Sequence, residues 1–458
     1  MEFRLYQLRR LCSFLVEEEP ALLAALEKDF KSHFEALAEL HAVQTEVIKA
    51  IDNLSKWIKP AKVSQPWAYY LDTCRMEYQP RGTILVIGAW NYPVDLILEP
   101  LIGAIAAGCT AILKPSEVAV NTAKCLTDLL PKYLDQECYI IVNGGPQETG
   151  QLLDWPKWDL IFYTGNSNVG RIIQTKAASN LIPTVLELGG KSPCIVTSRV
   201  DVDTVARRLM YGKLFNAGQT CVAPDYVITF PEMLEPLKEA IIGTVKVFYG
   251  ENPIKSTDYS RIINHKHYDR LSQLLANLTR ETEIISIGDS DREDKYFAPT
   301  VVLNPPIQST LMLHEIFGPI LPIITVETID EAISFITGRD KPLALYLFSN
   351  NVEEIEKVLK TTSSGSVCIN DTMMQVFSGI FPLGGIGPSG MGRYKGQYSF
   401  ETFSHAKPVM WRGQSAEWIN TRVRHPPVEE GKYRLLSKIA FSKPRHYHLA
   451  PSSAQWQQ

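Results

Sequence analysis

No glycine occurs before Gly82, no two of the eight cysteines have Cys-x-x-Cys spacing, and no run of about 20 apolar residues exists. The first absence suits a helical N-terminal segment. The second excludes a redox or zinc motif of that spacing. The third leaves nothing to span a bilayer. Positive charge is not in excess either: 46 Lys and Arg stand against 50 Asp and Glu, so no global feature points to nucleic acid. His265-x-His267 and His446-x-His448 have no cysteine or acid at ligand spacing. They read as solvated surface residues, and no metal is expected. The opening Met1-Glu2-Phe3-Arg4 does not read as a signal peptide. A cytoplasmic setting is therefore expected, and the triplets headed by Asn53, Asn277 and Asn370 carry no weight as glycosylation sites.

What is present is ordinary for a globular protein, at 45% hydrophobic and 21% charged residues. The length of 458 residues calls for two or three domains. Residues 1–60 read as helices, with Leu37, Leu40, Val43, Val47 and Ile48 at three- and four-residue spacing. A polar stretch with Pro60, Pro66 and Pro80 reads as an extended arm around 61–82. The rhythm then changes. Strands are expected at Thr83–Gly88, Thr110–Leu113, Tyr139–Val142, Leu160–Tyr163 and Thr184–Leu188. Helices are expected at Leu96–Ala107, Thr122–Leu134, Glu148–Asp154 and Val169–Ser179. Continuous apolar strands alternating with helices imply a parallel sheet covered on both faces, an α/β fold. Residues 190–370 repeat the alternation with longer helices, Val205–Phe215 and Leu234–Val247 among them. From Arg422 to Arg445 the chain is basic, with Arg422, Arg424, Lys432, Arg434, Lys438, Lys443 and Arg445 against Glu429 and Glu430. Such a tail could touch an anionic membrane surface. A solvated tail is the plainer reading, because charge runs alone bind weakly.

The chemistry is concentrated in a few runs. Cys221 closes Asn216-Ala217-Gly218-Gln219-Thr220-Cys221, and Glu187 lies in Leu186-Glu187-Leu188-Gly189-Gly190-Lys191 upstream. A thiolate is a strong nucleophile and needs a base, either for its own proton or for the water that follows. A buried core thiol is the bland alternative for any one cysteine. Asn91, in Trp90-Asn91-Tyr92-Pro93 after the first strand, could donate to an oxyanion; a turn asparagine is the alternative. Gly385-Ile386-Gly387-Pro388-Ser389-Gly390 matches G-x-G-x-x-G, but no helix pattern follows and it is rejected as a phosphate cradle. Tyr163 to Gly170, joining strand to helix with Gly165 and Ser167 at the turn, is the better candidate. It is an ordinary strand–helix turn about as often. Lys114 and Glu117 end the second strand, where ligands of such sheets bind. Glu315 could bond a ribose diol and Phe317 could wall a nicotinamide ring; a surface acid beside a buried aromatic is the alternative.

Together these runs resemble the aldehyde dehydrogenase superfamily over nearly the whole chain. The matching stretches are WNYP at 90–93, LKPSE at 113–117, YTGNSNVG at 163–170, LELGGKSPC at 186–194, NAGQTCVAPDY at 216–226, EIFGP at 315–319, KPLALYLFSN at 341–350 and ETFSH at 401–405. GQTCVAPDY, the short N-terminus and YSFETFSH look most like the class 3 branch of fatty- and aromatic-aldehyde dehydrogenases. The resemblance implies a doubly wound cofactor-binding domain at 1–187 with the arm, and an α/β catalytic domain at 188–394. It also implies an oligomerisation segment at 395–420, a homodimer, and a basic tail at 421–458. By resemblance, Cys221 is the nucleophile, Glu187 the general base, and Asn91 with the Cys221 N–H the oxyanion hole. Lys114 and Glu117 would contact the adenosine ribose, and Gly165, Ser167 and Gly170 would border the pyrophosphate. Glu315 and Phe317 would place the nicotinamide. The implied reaction is oxidation of medium- or long-chain aliphatic or aromatic aldehydes to acids through a thiohemiacetal and a thioester. The cofactor is NAD, with NADP usable, since an acid on the ribose favours free hydroxyls.

Two departures stand out. Asn166 replaces a serine common in relatives, and the tail lacks the anchor and prenylation cysteine found in some of them. Dedicated oxidation of an isoprenoid aldehyde and a non-catalytic relative are the competing readings. A CoA-acylating variant would not need Glu187.

Overall fold

The structure is a computed structural model that describes residues 1–66, 69–415, 417–423, 425–427 and 429–439. The chain opens with three helices, α1 (Glu2–Glu17), α2 (Glu19–Asp29) and α3 (His33–Trp57). Helix α3 has neither glycine nor proline, and Leu40, Val43, Val47, Ala50 and Leu54 line its buried side. Ile48 departs from the expected stripe and is exposed. The buried side takes Glu35, Glu39 and Glu46 instead.

After β1 (Ala61–Lys62) and β2 (Thr73–Pro80) comes the first large sheet. Its strands are β3 (Thr83–Ile87), β4 (Thr110–Lys114), β5 (Tyr139–Ile141), β6 (Leu160–Gly165) and β7 (Thr184–Leu188). They alternate with α4 (Asp95–Ala107), α5 (Val120–Leu129), α6 (Pro146–Asp154) and α7 (Ser167–Ser179). Helix α4 ends where Gly108 takes a left-handed φ of 89°. The helix expected over Thr122–Leu134 is shorter, because Pro131 breaks the bonding and leaves one 3-10 turn at Leu130–Lys132. The second sheet uses β8 (Pro193–Val196), β9 (Tyr226–Thr229), β10 (Glu283–Ser286), β11 (Thr300–Leu303), β12 (Ile320–Thr325), β13 (Ala344–Phe348) and β14 (Ser366–Ile369). Then β15 (Gly390–Met391) returns to the edge of the first sheet, and β16 (Ser404–Trp411) joins β1 and β2.

In the first sheet β15-β7-β6-β3-β4-β5, strands β3 to β7 are parallel, and successive connections run outward in opposite directions from β3. That reversal leaves a crevice beyond the carboxyl ends of β3 and β6. Register puts Ile87 level with both Lys114 and Tyr163, and Tyr163 level with Leu186. Everything following those residues therefore opens on one edge. Leu85, Ile161, Ile173, Leu186 and Leu188 form the core beneath it.

The chain forms two compact units, one of Met1–Trp57 with Gln79–His405, the other of Ile58–Tyr78 with the chain from Ala406. The second contains β1, most of β2 and β16, the last two strands spanning eight residues each. Of the basic tail, Arg424, Lys443 and Arg445 lie outside the described residues, as do His446, His448 and the final Gln-Trp-Gln-Gln. Lys432 donates to the carbonyls of His425 and Pro427, and Arg434 pairs with Glu430. Among the described residues no helix is long and apolar enough to cross a membrane, and no cluster of His, Cys, Asp and Glu could hold a metal.

Candidate active site

Glu187 sits near the end of β7, flanked by Thr164 of β6 and Gly390 of β15. Gly390, with φ at 140°, lets β15 approach; a Cβ there would strike the Leu186 carbonyl. The Glu187 side chain is buried and neither carboxylate oxygen has a hydrogen-bond partner among the described residues. Burial pushes this carboxyl well above its ordinary range, and Lys395 pulls the other way.

Cys221 follows a turn of unusual backbone. Asn216, Ala217 and Gly218 are all left-handed, with φ of 59°, 52° and 76°. Two of the three carry a Cβ, so this conformation is maintained by its surroundings. A Cβ at Gly218 would collide with the Gly318 carbonyl, so the turn packs directly on the loop holding Glu315 and Phe317. Cys221 is half-buried. Burial first, then the charges of Glu315 and Glu187, push its thiol up to about 12. Asn91 is buried and its Nδ2 donates to the Gln219 carbonyl at 3.1 Å. The next residue, Tyr92, has its hydroxyl 2.8 Å from Thr220 Oγ1. The turn after β3 is thus tied to the two residues before the thiol.

The remaining sequence candidates lie along the same edge. Lys114 is buried at the end of β4, with its Nζ 2.5 Å from Glu117 Oε2. Gly165 leaves room for the Tyr163 side chain, whose hydroxyl donates to the Asn166 carbonyl at 3.2 Å. Asn166 caps α7, its Oδ1 accepting from the N–H groups of Asn168 and Val169. Two of the helix-start donors expected to face a pyrophosphate are therefore already used. Ser167 remains on the wall of a cavity of about 290 Å³, together with Gly189, Lys191, Glu315, Arg339 and Lys341. Gly170 packs α7 against Leu188, which a Cβ would displace. Glu315 accepts from the Gly190 N–H, and burial with Asp225 nearby raises its pKa to about 8. Phe317, at a φ of 50°, meets Trp90 edge-on at 5.4 Å. His265 is exposed, but His267 corrects the surface reading: it packs on Trp90 at 4.9 Å, and burial pulls its pKa to about 4.

The cavity sets two cations, Arg339 and Lys341, beside a strand–helix turn and Glu315, while Lys191 on the same wall is engaged by Asp225 and by the carbonyls of Leu311 and His314. That donor set fits an anionic dinucleotide at the carboxyl edge of the sheet. A model of the aldehyde dehydrogenase family matches residues 11–409.

The chain belongs to the aldehyde dehydrogenase family.

It is 47% identical to aldehyde dehydrogenase family 3 member B1 of Homo sapiens, covering 95% of this chain and 92% of that one. Identity to family 3 member A2 of Pongo abelii is 45%, covering 96% and 91%. Among solved structures, the substrate-bound state of Staphylococcus aureus AldH superposes with a TM-score of 0.92 at 39% identity, covering 96% of this chain and 95% of that one. This aldehyde dehydrogenase is of the family 3 branch, and its reaction is NAD(P)-dependent oxidation of aldehydes. The motif reading quoted Asn216 without giving it a task, and it passed over Lys31, Glu35 and Glu39 altogether. All four are buried: Asn216 lies in the thiol turn, Lys31 and Glu35 bond to it, and Glu39 pairs with Lys31.

Proposed function

We propose that Cys221 is the nucleophile, Glu187 the general base, and Asn91 with the Cys221 N–H the oxyanion donor. The substrates are apolar aldehydes, medium- or long-chain aliphatic or aromatic. The observation that carries this reading is Glu187, a buried carboxyl with both oxygens free of partners among the described residues, beside a thiol whose charge it opposes. For the substrate class, support comes from Tyr211, Phe215 and Phe377, whose rings meet in series at 5.6 Å, tilted and then edge-on, just before the thiol turn, and from the exposed Ile380 and Phe381 that follow Phe377 in the chain.

The sulfur adds to the carbonyl carbon as Glu187 takes the thiol proton, and the carbonyl π pair moves onto oxygen opposite Asn91. NAD(P), when bound, supplies the two-electron acceptor for the hydride on that carbon. Glu187 releases the thiol's proton to solvent before it takes one from water; the water oxygen adds to the thioester, and the C–S bond breaks with its electron pair on sulfur, which takes the proton back from Glu187 as the acid leaves. Lys114 and Glu117 hold the adenosine ribose, Gly165 and Ser167 border the pyrophosphate, and Glu315 and Phe317 place the nicotinamide. NAD is preferred, with NADP usable.

A homodimer is supported by the second unit, whose Tyr70, Leu71 and Trp411 expose large apolar surfaces. Eight unbridged cysteines suit a reducing, cytoplasmic compartment. Membrane contact through the tail is less favoured, since Lys432 and Arg434 are engaged locally.

NADH formation by wild type and Cys221→Ala on hexanal, hexadecanal and benzaldehyde, with NAD and with NADP, tests the reading. Turnover lost in the variant is expected. A variant that retains turnover overturns the assignment of Cys221, and activity on none of the three overturns the substrate class.

A further inference from the structure

A buried lysine and two buried carboxyls at the start of α3 reach the reactive turns from behind. Lys31 Nζ donates to Asn216 Oδ1 at 2.8 Å and lies 3.4 Å from Glu39. Glu35 Oε1 accepts the Asn216 backbone N–H at 2.7 Å, and its other oxygen accepts from the Ser260 hydroxyl. Glu39 Oε1 accepts the N–H groups of Val94 and Asp95 at 2.8 and 3.0 Å, just past the Asn91 turn. The Lys31 ammonium also lies over the Tyr92 ring at 4.2 Å. Asn216 passes the restraint on, with its Nδ2 donating to the Asn91 carbonyl at 3.0 Å and the Gln219 carbonyl at 3.1 Å.

Asn216 needs such a grip. It begins the left-handed run Asn216-Ala217-Gly218, a backbone that L-residues rarely hold without outside support. Glu35 fixes its N–H and Lys31 its side-chain oxygen, so both ends of the residue are gripped by one helix start. Burying one ammonium with two carboxyls is costly unless geometry is specific, and here each charged group meets a backbone or amide partner on the reactive turns. Those turns carry Asn91 and Cys221, from different parts of the sequence.

We infer that Lys31, Glu35 and Glu39 are positioning residues for the thiol and the oxyanion amide. They set the distance between Asn91 and Cys221 without touching substrate. This rests on the proposed roles of those two residues. Loss of the grip lets the Asn216 turn relax and moves the thiol relative to the amide, which slows thiohemiacetal formation more than it weakens cofactor binding.

The test is the pre-steady-state NADH burst of full-length Lys31→Met, Lys31→Arg and Ser260→Ala, on whichever of hexanal, hexadecanal or benzaldehyde the wild type oxidises fastest. NAD affinity is measured alongside by fluorescence, and folding by circular dichroism and Tm. Ser260→Ala removes one hydroxyl beside Glu35 and serves if Lys31→Met does not fold. The expected result is a burst slowed about 10- to 100-fold in Lys31→Met, as for a displacement approaching 1 Å, with NAD affinity within about twofold. Lys31→Arg restores part of the rate, and Ser260→Ala gives a smaller loss of the same kind. A wild-type burst in folded Lys31→Met, or in Ser260→Ala if the former fails to fold, overturns the inference. So does a burst loss matched by an equal loss of NAD affinity. Cys221→Ala, run in parallel, separates the two levels: activity there removes the underlying roles, whatever Lys31 does.

Discussion

Lys191 Nζ lies 2.6 Å from Asp225 Oδ2, and this ion pair fastens the loop that carries Glu315 and Phe317. Lys191 also donates to the carbonyls of Leu311 and His314, at 2.8 and 3.0 Å, while Asp225 Oδ1 accepts the Ile316 N–H at 3.0 Å. Arg270 holds the next carbonyls, of Ile316 and Phe317. Both members of the pair are nearly buried, so removing one strands the other in low dielectric. Lys191→Met is expected to lose about 3 kcal/mol in urea unfolding and to weaken NAD binding together with it. Unchanged NAD affinity in a destabilised variant would separate this loop from the cofactor.

Cys221 gives a prediction in pH. With its thiol pushed up to about 12, almost none is thiolate at neutral pH in the cofactor-free enzyme. Alkylation by iodoacetamide, followed on the Cys221 peptide by mass spectrometry, should therefore rise about tenfold per unit from pH 7 to 9.5 with no plateau. A plateau near pH 8 would mean that burial of the thiol, the first cause of its shift, opposes the thiolate far less than the structure implies.

Much of the first sheet was legible because its apolar strands and helix stops are local signals. Thr184–Leu188 matches the expected strand at both ends, and Gly108 ends α4 in the left-handed conformation its position suggests. Asn91, Lys114, Gly165 and Glu187 trace to one sheet edge because strand ends are level there, whereas Cys221, Glu315 and Phe317 come from connections of the second sheet. The buried charges were not legible. A pattern reading sends Glu35, Glu39 and Glu46 to water, although their spacing keeps them in phase with Leu40, Val43, Val47 and Ala50. That phase was the available signal, and Ile48, off phase and exposed, was its counterpart. His267 escaped for another reason: its partner Trp90 is distant in sequence, and only folding brings the rings together.

Glu117 sets a prediction on cofactor choice. It holds Lys114 at 2.5 Å on the edge proposed for the adenosine ribose. A carboxylate there repels a 2′-phosphate and accepts from a free hydroxyl. Glu117→Gln should shift the ratio of kcat/KM for NAD over NADP toward NADP by roughly tenfold, about the 1.4 kcal/mol of one hydrogen bond to a charged group. An unaltered ratio would put the ribose elsewhere.

Lys213 tests the electrostatics of the site from its far side. It is fully buried on α8 (Val202–Leu214), and its Nζ has no partner among the described residues. Burial lowers its pKa to about 8 from 10.5, with Lys191 adding to the shift and Asp225 and Glu315 opposing it. A folded pKa below the unfolded one means the folded state releases the proton first. Stability is then full above the unfolded value and falls as pH drops through the folded one, leaving the penalty complete at neutral pH. Lys213→Met removes the charge and keeps most of the volume. It should be more stable than wild type at pH 6.5 by up to about 3 kcal/mol, with the gain shrinking between pH 8 and 10.5. Urea midpoints at pH 6.5, 8 and 10 measure this. A gain that did not change with pH would trace to packing, and a loss at every pH would mean the ammonium has a partner in solution, with Asp225 and Glu315 the nearest acids to supply it.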